Sequence, residues 1–448
     1  MNERRKIFEK FEEQREFWED RVNHGIEQYR KGYADICVKD KDGNIVPDAK
    51  IKLTQKTHEF KFGANLFMLD ELETDEKNEK YKKYFADTFN MATLPFYWDA
   101  TEPEKGKTRY EKDSEKLYRR PPIDLCVEFC EKHGIEPREH ALAYDNFFPK
   151  WLYDANVTEV KHALEERYKQ ISERYKDKIP TIEVTNEVEW DVGKTAFYDE
   201  TDFVEWCFKL AEKYFPANQL GINEEAGVWD QQAKPRDRYY AYTEAAMLKG
   251  ARIDAIGLQY HMFFSREDEY KNSRKRYNPK HLYKMMDLYS NFGKPLQVTE
   301  ITVPAYSNDP EDEAIQAEIL EILYTIWFSH PNMEQIIYWN LVDGYAHLWN
   351  TDPAKIKASQ GDMTIGENYY YGGLLRFDMT PKPAYYAIKN LIENKWRTET
   401  EVVTNKNGKA TFKGFYGEYD AEITANGKVI TKTINLTKKG KNDFLVEV

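Results

Sequence analysis

Two glutamates end short apolar segments and could act together on a sugar. Glu187 closes residues 181–187 (TIEVTNE), and Glu300 closes residues 295–300 (PLQVTE). A β-rich segment that ends in a carboxylate is typical of a barrel strand that carries a catalytic side chain to the barrel's C-terminal rim. Two carboxylates that face each other across a sugar are the minimum that cleavage of a glycosidic bond requires. Each segment alone is a weak signal, so the rest of the chain must support the pair.

Eight predicted strands alternate with helical stretches between residues 61 and 395. This alternation is typical of a parallel sheet with crossover helices, and eight strands predict a closed (β/α)8 TIM barrel of the α/β class. Glu187 then ends the fourth strand and Glu300 the seventh. Long connections follow the sixth and eighth strands at 262–280 and 344–372, where they could shape a cleft. The predicted strands lie near 62–67, 88–95, 135–144, 181–187, 220–224, 254–261, 295–300 and 335–342.

The two ends of the chain predict a smaller unit beside the barrel domain of residues 61–395. Residues 1–32 predict a charged helix, and the alternation in 33–60 predicts a β-hairpin. Glycine-separated β segments return at 396–448, so we expect both ends to form one small β-sandwich. This C-terminal β module could bind carbohydrate or brace the barrel. Only Tyr416 and Tyr419 are candidates for an exposed sugar platform, which favours the brace.

Composition limits the class of partner. The 448 residues are 41% hydrophobic and 15% aromatic, which supports a large core and suits stacking on sugar rings. A net charge of −13 argues against nucleic acid and anionic membranes, and weakly against an acidic polysaccharide. No apolar run approaches membrane-spanning length, and no secretory signal follows Met1. We therefore expect a polysaccharide or oligosaccharide partner, and a protein that is cytoplasmic or exported with its signal removed.

The cysteines and histidines predict no metal site and no cofactor. The possible metal ligands are His140, His261 and the glutamates, and the chain has no His-x-x-His pair. The cysteines lack metal-ligand spacing and form no recognisable disulfide framework. Two of them lie four residues apart on a predicted helix, where we expect buried thiols. The four cysteines are Cys37, Cys126, Cys130 and Cys207.

Further strand-end motifs make the chain resemble glycoside hydrolase family 10, the β-1,4-xylanase family. Residues 140–151 (HALAYDNFFPKW) look like the third-strand motif of that family, and 220–224 (LGINE) look like its fifth strand. The same holds for 256–261 (IGLQYH) and 338–344 (YWNLVDG), the sixth and eighth strands. The matches keep the family's order from about residue 57 to 395. The resemblance implies a TIM-barrel glycosidase.

The resemblance also implies roles for the two glutamates. Glu187 corresponds to the acid/base and Glu300 to the nucleophile of a retaining double displacement. Glu300 must be ionised to attack the anomeric carbon, while Glu187 must hold a proton for the leaving oxygen. Carboxyls about 5 Å apart divide these roles, because charge on one disfavours charge on the other. The nearby alternatives are Glu183, Glu189, Glu224 and Glu225, of which Glu183 lies deeper on the same strand face.

Other matched residues are expected to bind the substrate. Asn186 resembles the residue that bonds the 2-hydroxyl of the sugar being cleaved, a bond that strengthens as oxocarbenium character develops. His140 and Gln259 look like further ligands of that sugar, and His261 like the histidine that orients the nucleophile. The remaining candidates for the cleft are Tyr144, Asp145, Trp98, Trp339 and Trp349.

The chain departs from the family pattern at three places. Family members usually carry a Glu-Asn pair and a Lys before the tryptophan of the second strand, where they bind sugar on the non-reducing side. Residues 89–98 (FNMATLPFYW) are two residues shorter and have none of them. Tyr144 and Asp145 stand where Trp-His is usual, and Thr302 stands where an Asp usually partners His261. Each donor lost to a buried sugar hydroxyl costs about 1–3 kcal/mol unless it is replaced.

Three functions stay open at this point. The first is a retaining enzyme that cleaves β-1,4-linked xylan or xylo-oligosaccharides. The second is the same mechanism on another β-linked glycan, or exo action if a long connection closes one end of the cleft. The third is an inactive carbohydrate-binding barrel, which the retention of both carboxylates, Asn186 and His261 disfavours. Oligomeric state cannot be read from the sequence.

Overall fold

Eight parallel strands form a closed barrel, as the sequence predicts. The computed structural model describes residues 3–189, 193–348 and 352–448. Around the barrel the strand order is β10-β3-β4-β5-β6-β7-β8-β9, so each strand pairs with its sequence neighbour and the last pairs with the first. The strands are β3 Lys61–Asn65, β4 Met91–Pro95, β5 Glu136–His140, β6 Thr181–Asn186, β7 Gln219–Glu224, β8 Ala255–His261, β9 Leu296–Thr302 and β10 Met333–Tyr338.

The barrel strands are buried on both faces, because side chains fill the interior and helices cover the outside. Every residue of β4, β6, β8 and β9 is buried. These strands therefore consist mainly of apolar and β-branched residues. Their polar residues lie in the barrel interior or at the rim. The strand ends at residues 186, 261 and 302 bring the predicted site residues to one rim of the barrel.

Helices connect the strands, and several of them begin at a side-chain cap. Helix α6 starts with a capping box in which Asn156 and Glu159 each bond the other's backbone N–H. The helices are α1 Glu9–Glu13, α2 Arg15–Tyr29, α3 Asp75–Ala86, α4 Trp98–Thr101, α5 Ile123–His133, α6 Val157–Tyr175, α7 Phe203–Tyr214, α8 Arg238–Leu248, α9 Glu269–Asn272, α10 Pro279–Ser290, α11 Pro310–Ser329, α12 Pro353–Ser359 and α13 Pro383–Asn390. Short 3-10 segments lie at Glu3–Phe8, Asp145–Phe147, Lys150–Leu152, Ala226–Asp230 and Gly366–Tyr370, and a π turn at Leu391–Lys395.

The two chain ends form a pair of small sheets with their own apolar core, which confirms the predicted sandwich. One sheet has the order β12-β1-β15 and the other β11-β2-β13-β14. Each sheet thus combines one strand from the N-terminal segment with strands from the C-terminal segment. The strands are β1 Lys31–Lys39, β2 Lys50–Gln55, β11 Glu399–Val403, β12 Lys409–Phe415, β13 Gly417–Ala425, β14 Lys428–Leu436 and β15 Asp443–Glu447.

Two expectations about this unit are wrong. Strands β1 and β2 do not form a hairpin, because β1 pairs with β12 and β15 while β2 pairs with β11 and β13. Each strand buries one face against the opposite sheet, which gives the same alternation as a hairpin. Tyr419 is fully buried and donates its hydroxyl to the Phe415 carbonyl at 2.5 Å, so it cannot be an exposed platform.

The N-terminal helical segment is fastened to the barrel by a buried ion pair. Arg4 Nε donates to Glu269 Oε2 at 2.8 Å, and both side chains are almost fully buried. Glu269 lies in the connection after β8, so this contact ties the segment to the rim that carries the site. Cys126 and Cys130 are buried free thiols on α5, as predicted. Within the three described ranges, no helix has the length and apolarity needed to span a bilayer.

Candidate active site

Glu300 lies in β9 with its carboxylate enclosed at the barrel rim. Asn223 Nδ2 donates to Oε1 at 3.0 Å, and His261 Nε2 lies 3.2 Å from Oε2. Burial raises the pKa of Glu300 to about 8, while the nearby His140 lowers it. A carboxylate that is held from both sides and poorly solvated is a suitable nucleophile once it is ionised.

His140 supplies positive charge beside Glu300. Its Nδ1 lies 2.8 Å from Glu183 Oε1 and 4.0 Å from Glu300 Oε1. Burial opposes protonation of the ring, but the Glu183 carboxylate outweighs burial and the pKa of His140 is raised. Arg138 forms an ion pair with the other oxygen of Glu183. Charges therefore alternate along the chain of groups from Arg138 to Glu300, and each charge is stabilised by its neighbour.

Glu187 follows β6 and is held by three neighbouring strand ends. Its backbone has φ 51°, a left-handed conformation that non-glycine residues rarely adopt and that functional sites often contain. The Glu187 N–H donates to the Asn223 carbonyl at 3.2 Å. Tyr144 donates its hydroxyl to one carboxylate oxygen, and Gln259 Nε2 donates to the other at 2.9 Å. These contacts fix the direction in which the carboxyl points.

An amide network joins the two carboxylates. Asn223 Nδ2 donates to Asn186 Oδ1 at 2.9 Å as well as to Glu300. Gln259 Nε2 donates to Asn186 Oδ1 at 3.2 Å as well as to Glu187. Thr299 Oγ1 donates to Asn223 Oδ1 at 2.6 Å, which sets the orientation of that amide. The structure thus brings together four predicted residues around Asn223, namely Asn186, Glu187, Gln259 and Glu300.

His261 is the neutral histidine of the site. Burial lowers the pKa of His261 to about 4, so the ring is uncharged near neutral pH. Its Nδ1 lies 3.0 Å from Thr302 Oγ1. An ionised Glu300 can only accept a hydrogen bond, so we assign the ring proton to Nε2 and let the Thr302 hydroxyl donate to Nδ1. Thr302 therefore replaces a carboxylate partner without making the ring a cation.

Two of the competing glutamates, Glu183 and Glu224, have structural partners. Glu183 is occupied by Arg138 and His140. Glu224 accepts from the backbone of Val188 at 3.0 Å and from a tyrosine hydroxyl, and burial raises its pKa to about 8. Glu224 thus holds the loop that follows Glu187, and its hydrogen bonds give it a structural role.

One group among the described residues has the spacing of a metal site. Ligand atoms of His140, Glu183 and Glu300 all lie within 4.8 Å of one another. Both oxygens of Glu183, however, already pair with Arg138 and with His140. A protonated His140 cannot ligate a cation, so the group fits an ion-pair chain better than a metal centre.

The remaining predicted residues have different fates. Trp339 lines the site, with its ring 5.3 Å from the ring of His140 and 5.9 Å from that of His261. Trp98 points into the core, where its indole N–H donates to Glu102 Oε2 at 2.9 Å, so its assignment to the cleft is wrong. Trp349 lies outside the described residues.

Asp145 is also turned away from the substrate space. Its side chain is buried and accepts from the Lys194 N–H and from Thr195 Oγ1, the latter at 2.5 Å. It anchors the loop that returns after Glu187. Its assignment as a substrate ligand is therefore wrong, because both carboxylate oxygens serve that loop.

Sequence reasoning missed three residues of the site. Asn223 is the penultimate residue of β7 and lies near the strand end, as the predicted residues do, so it could have been found. Tyr97 takes the place expected for its neighbour Trp98, and its hydroxyl lies 3.0 Å from His140 Nε2. Arg120 comes from a loop and stacks on the Tyr97 ring at 3.6 Å. No periodic pattern marks a loop arginine, so the sequence offered no signal for it.

The chain matches a family model described as Glycosyl hydrolase family 10 over residues 53–391. Anti-sigma-I factor RsgI6 of Acetivibrio thermocellus is 25% identical over 428 residues, which cover 94% of this chain and 49% of that protein. Endo-1,4-beta-xylanase 3 of Arabidopsis thaliana is 24% identical over 389 residues, which cover 84% of this chain and 44% of that protein. The chain thus spans half or less of these curated relatives.

Solved structures share the fold. Native xylanase 10B from Thermotoga maritima has a TM-score of 0.58 and 22% identity, and the match covers 75% of this chain and 96% of that one. Xylanase 10B from Thermotoga petrophila RKU-1, solved in complex with xylobiose, has a TM-score of 0.57 and 21% identity, with 75% and 95% covered. At this identity the likeness establishes the barrel fold.

Proposed function

This chain belongs to glycosyl hydrolase family 10, and from that premise we propose that it is a retaining glycoside hydrolase that cleaves β-1,4-linked xylan or xylo-oligosaccharides. The observation that carries the proposal is the pair Glu187 and Glu300, which lie after β6 and in β9 and are joined through Asn223 of the intervening strand β7. Relatives named as endo-1,4-β-xylanases support the choice of linkage and sugar.

In the first step an ionised Glu300 attacks the anomeric carbon. The bond from that carbon to the glycosidic oxygen breaks, and Glu187 gives its proton to the departing oxygen. The negative charge of Glu300 is consumed in the new ester bond. His261 donates to Glu300 Oε2 and Asn223 donates to Oε1, so both oxygens of the attacking carboxylate are held in position.

In the second step water replaces the ester. Glu187, now ionised, takes a proton from the water while the water oxygen bonds to the anomeric carbon. The ester bond to Glu300 breaks, and Glu300 leaves as a carboxylate. Asn186 lies where it can bond a sugar hydroxyl, because Asn223 and Gln259 both donate to its Oδ1 and turn its amide N–H2 outward. Two displacements at one carbon retain its configuration.

A contact between two rim loops favours short substrates or exo action as a second candidate. Tyr118 donates its hydroxyl to the Ala346 carbonyl at 2.9 Å. Arg119 Nη1 donates to the Tyr345 carbonyl at 2.9 Å. The loop after β4 is thus tied to the loop after β10 above the end of β3, which narrows the cleft on that side.

Product profiling tests the proposal. Wild type and Glu300→Ala are compared on xylan, xylo-oligosaccharides, mixed-linkage glucan and cellulose, with Glu422→Ala as the matched control. Glu422 is an exposed glutamate on β13, far from the barrel rim. We expect xylo-oligosaccharide products with wild type and control, and none with Glu300→Ala. Products from the other glycans alone would refute the choice of substrate.

Two readouts separate mechanism and mode of action. NMR of the first product formed should show the β-anomer, while an initial α-anomer would refute double displacement. End-labelled xylohexaose separates the modes of attack. A ladder of products indicates endo action, and release of one short product from one end indicates that the bridged loops close the cleft.

A further inference from the structure

The loop that follows β4 places an unpaired guanidinium beside the catalytic residues. The Arg120 guanidinium lies 3.6 Å above the ring of Tyr97. Tyr97 is buried, and its hydroxyl lies 3.0 Å from His140 Nε2. The Tyr97 ring therefore lies between Arg120 and His140, the histidine beside Glu300. It occupies the region where the chain lacks the polar second-strand residues of its family.

Arg120 is half-buried, and it differs from the buried arginines near the rim in its hydrogen bonds. Arg167 donates to three carbonyls and one hydroxyl, and Arg119 donates to an amide oxygen and a carbonyl. Within residues 3–189, 193–348 and 352–448, Arg120 donates once, from Nη1 to the Arg119 carbonyl at 3.0 Å, and joins no ion pair. A guanidinium has five N–H donors. Most of them thus have no acceptor from this part of the protein.

Aromatic rings and charged groups of both signs surround Arg120. Burial raises the pKa of Asp99 to about 6, and the nearby Arg120 lowers it. Its guanidinium also lies 5.6 Å from the ring of Phe147, so aromatic groups cover it on two sides. His347 lies close enough that burial, together with Arg119 and Arg120, lowers its pKa to about 3. A cation of fixed orientation loses little side-chain freedom when it binds an anion.

We propose that Arg120 recognises a carboxylate on the substrate, so that this enzyme acts on β-linked oligosaccharides that carry a uronic acid near the cleavage point. The inference rests on the proposed glycosidase function and names its substrate class. A planar carboxylate matches the guanidinium fork with two parallel hydrogen bonds, whereas a neutral hydroxyl takes only one.

The acidic net charge of the chain does not oppose this inference. The net charge is −13, but exposed charges farther than about 8–10 Å are screened at physiological salt. Of the catalytic carboxylates, Glu300 has His140 beside it, with Nδ1 4.0 Å from Oε1. Contact with Arg120 therefore decides the local preference, and the same screening predicts that the preference weakens at high salt.

The test compares an acid-bearing xylo-oligosaccharide with the same molecule after reduction of its carboxyl to an alcohol. A set of positional isomers places the uronic acid on each sugar in turn. The variants are Arg120→Gln, and Lys441→Gln as the control for loss of one positive charge. Lys441 is exposed in the terminal β module. Thermal unfolding of each variant confirms that it is folded.

We expect wild type to prefer the acid over the reduced form of at least one isomer by at least about tenfold in kcat/KM, the effect of a charged hydrogen-bond pair. Arg120→Gln should lose this preference, because its kcat/KM should fall by at least about tenfold more on the acid form than on the reduced form, and Lys441→Gln should keep it. No preference in wild type, or an equal loss on both forms in Arg120→Gln, overturns the inference. The latter would mean that Arg120 only supports Tyr97.

A binding measurement on an inactive variant tests the carboxylate site independently of the proposed function. The Glu300→Gln variant is titrated with the same two oligosaccharides by calorimetry, before and after Arg120→Gln is added. Failure of wild type to cleave either form refutes the proposed function alone. Tighter binding of the acid form that depends on Arg120 still supports the carboxylate site, and equal binding of both forms overturns it.

Discussion

Replacement of His140 by glutamine should move the pH dependence of the reaction to higher pH. Glu300 must be ionised to attack, and burial raises its pKa to about 8 even though His140 lowers it. Glutamine keeps a hydrogen-bond donor near Glu183 but removes the positive charge. The pKa of Glu300 then rises further, so at any pH below it a smaller fraction of the enzyme carries an ionised nucleophile.

The size of the shift follows from the geometry. His140 Nδ1 lies 4.0 Å from Glu300 Oε1. Two unit charges at this distance interact by about 4 kcal/mol at an effective dielectric constant of about 20, and by about 1 kcal/mol in water. One pKa unit corresponds to about 1.36 kcal/mol, so we expect a shift of about one to three units. At a pH below both pKa values, kcat/KM should fall by about 10- to 1000-fold.

The assay is kcat/KM from about pH 5 to 10 on an aryl β-xylobioside with a good leaving group. Such a substrate makes protonation by Glu187 unimportant, so the rising limb reports the nucleophile in the free enzyme. Glu187→Gln is the control of opposite sign. Glu187 raises the pKa of Glu300, so its neutral replacement should move the limb to lower pH. An unmoved limb in His140→Gln, with rates lower at every pH, would refute charge as the role of His140.

Three further substitutions test other contacts of the structure. Tyr144→Phe removes the hydroxyl that donates to Glu187, so cleavage of unactivated xylo-oligosaccharides should fall about tenfold relative to cleavage of activated aryl glycosides. Arg4→Ala leaves Glu269 buried without its partner and should lower the free energy of unfolding in urea by about 3–5 kcal/mol. Trp98→Phe should lower stability by about 1–3 kcal/mol with kcat/KM nearly unchanged, because the indole serves the core.

Matched variants give each of these results its meaning. Tyr97→Phe, the neighbour of Trp98, should lower activity because its hydroxyl contacts His140. Arg15→Ala breaks an exposed pair with Glu19 and should cost under about 1 kcal/mol. A large loss of activity in Trp98→Phe, or equal destabilisation by Arg4→Ala and Arg15→Ala, would contradict the packing described above.

The residues at strand ends could be predicted from the sequence because their signal is local. A buried strand reads as a short apolar run, and its last polar residue reaches the rim whatever the rest of the chain does. Glu187 and Glu300 were predicted in this way, with the strand bounds correct to within a few residues, whereas Gln259 and His261 were predicted from the family resemblance. The domain boundaries stay predictions, and the roles of these residues are predictions that the experiments above address.

Residues beyond the strand ends could not be predicted, because the regular alternation of side-chain direction stops where the strand ends. β4 ends at Pro95 and the short helix α4 begins at Trp98. Alternation therefore stops between them, and the sequence cannot tell which of Tyr97 and Trp98 faces the site. Asp145 follows β5 in a 3-10 turn and fails for the same reason. Arg120 is set by the path of a long loop, which has no period at all.

The departures from the family pattern bear on one question, which is which histidine beside Glu300 carries a positive charge. With Thr302 as its partner, His261 is neutral near neutral pH and offers only a hydrogen bond. The cation that favours an ionised nucleophile is instead His140, which Glu183 keeps protonated and which Tyr97 contacts on its outer nitrogen. Tyr97 in turn carries Arg120 on its ring. Tyr97 thus contacts both the histidine beside the nucleophile and the residue proposed to bind a substrate carboxylate.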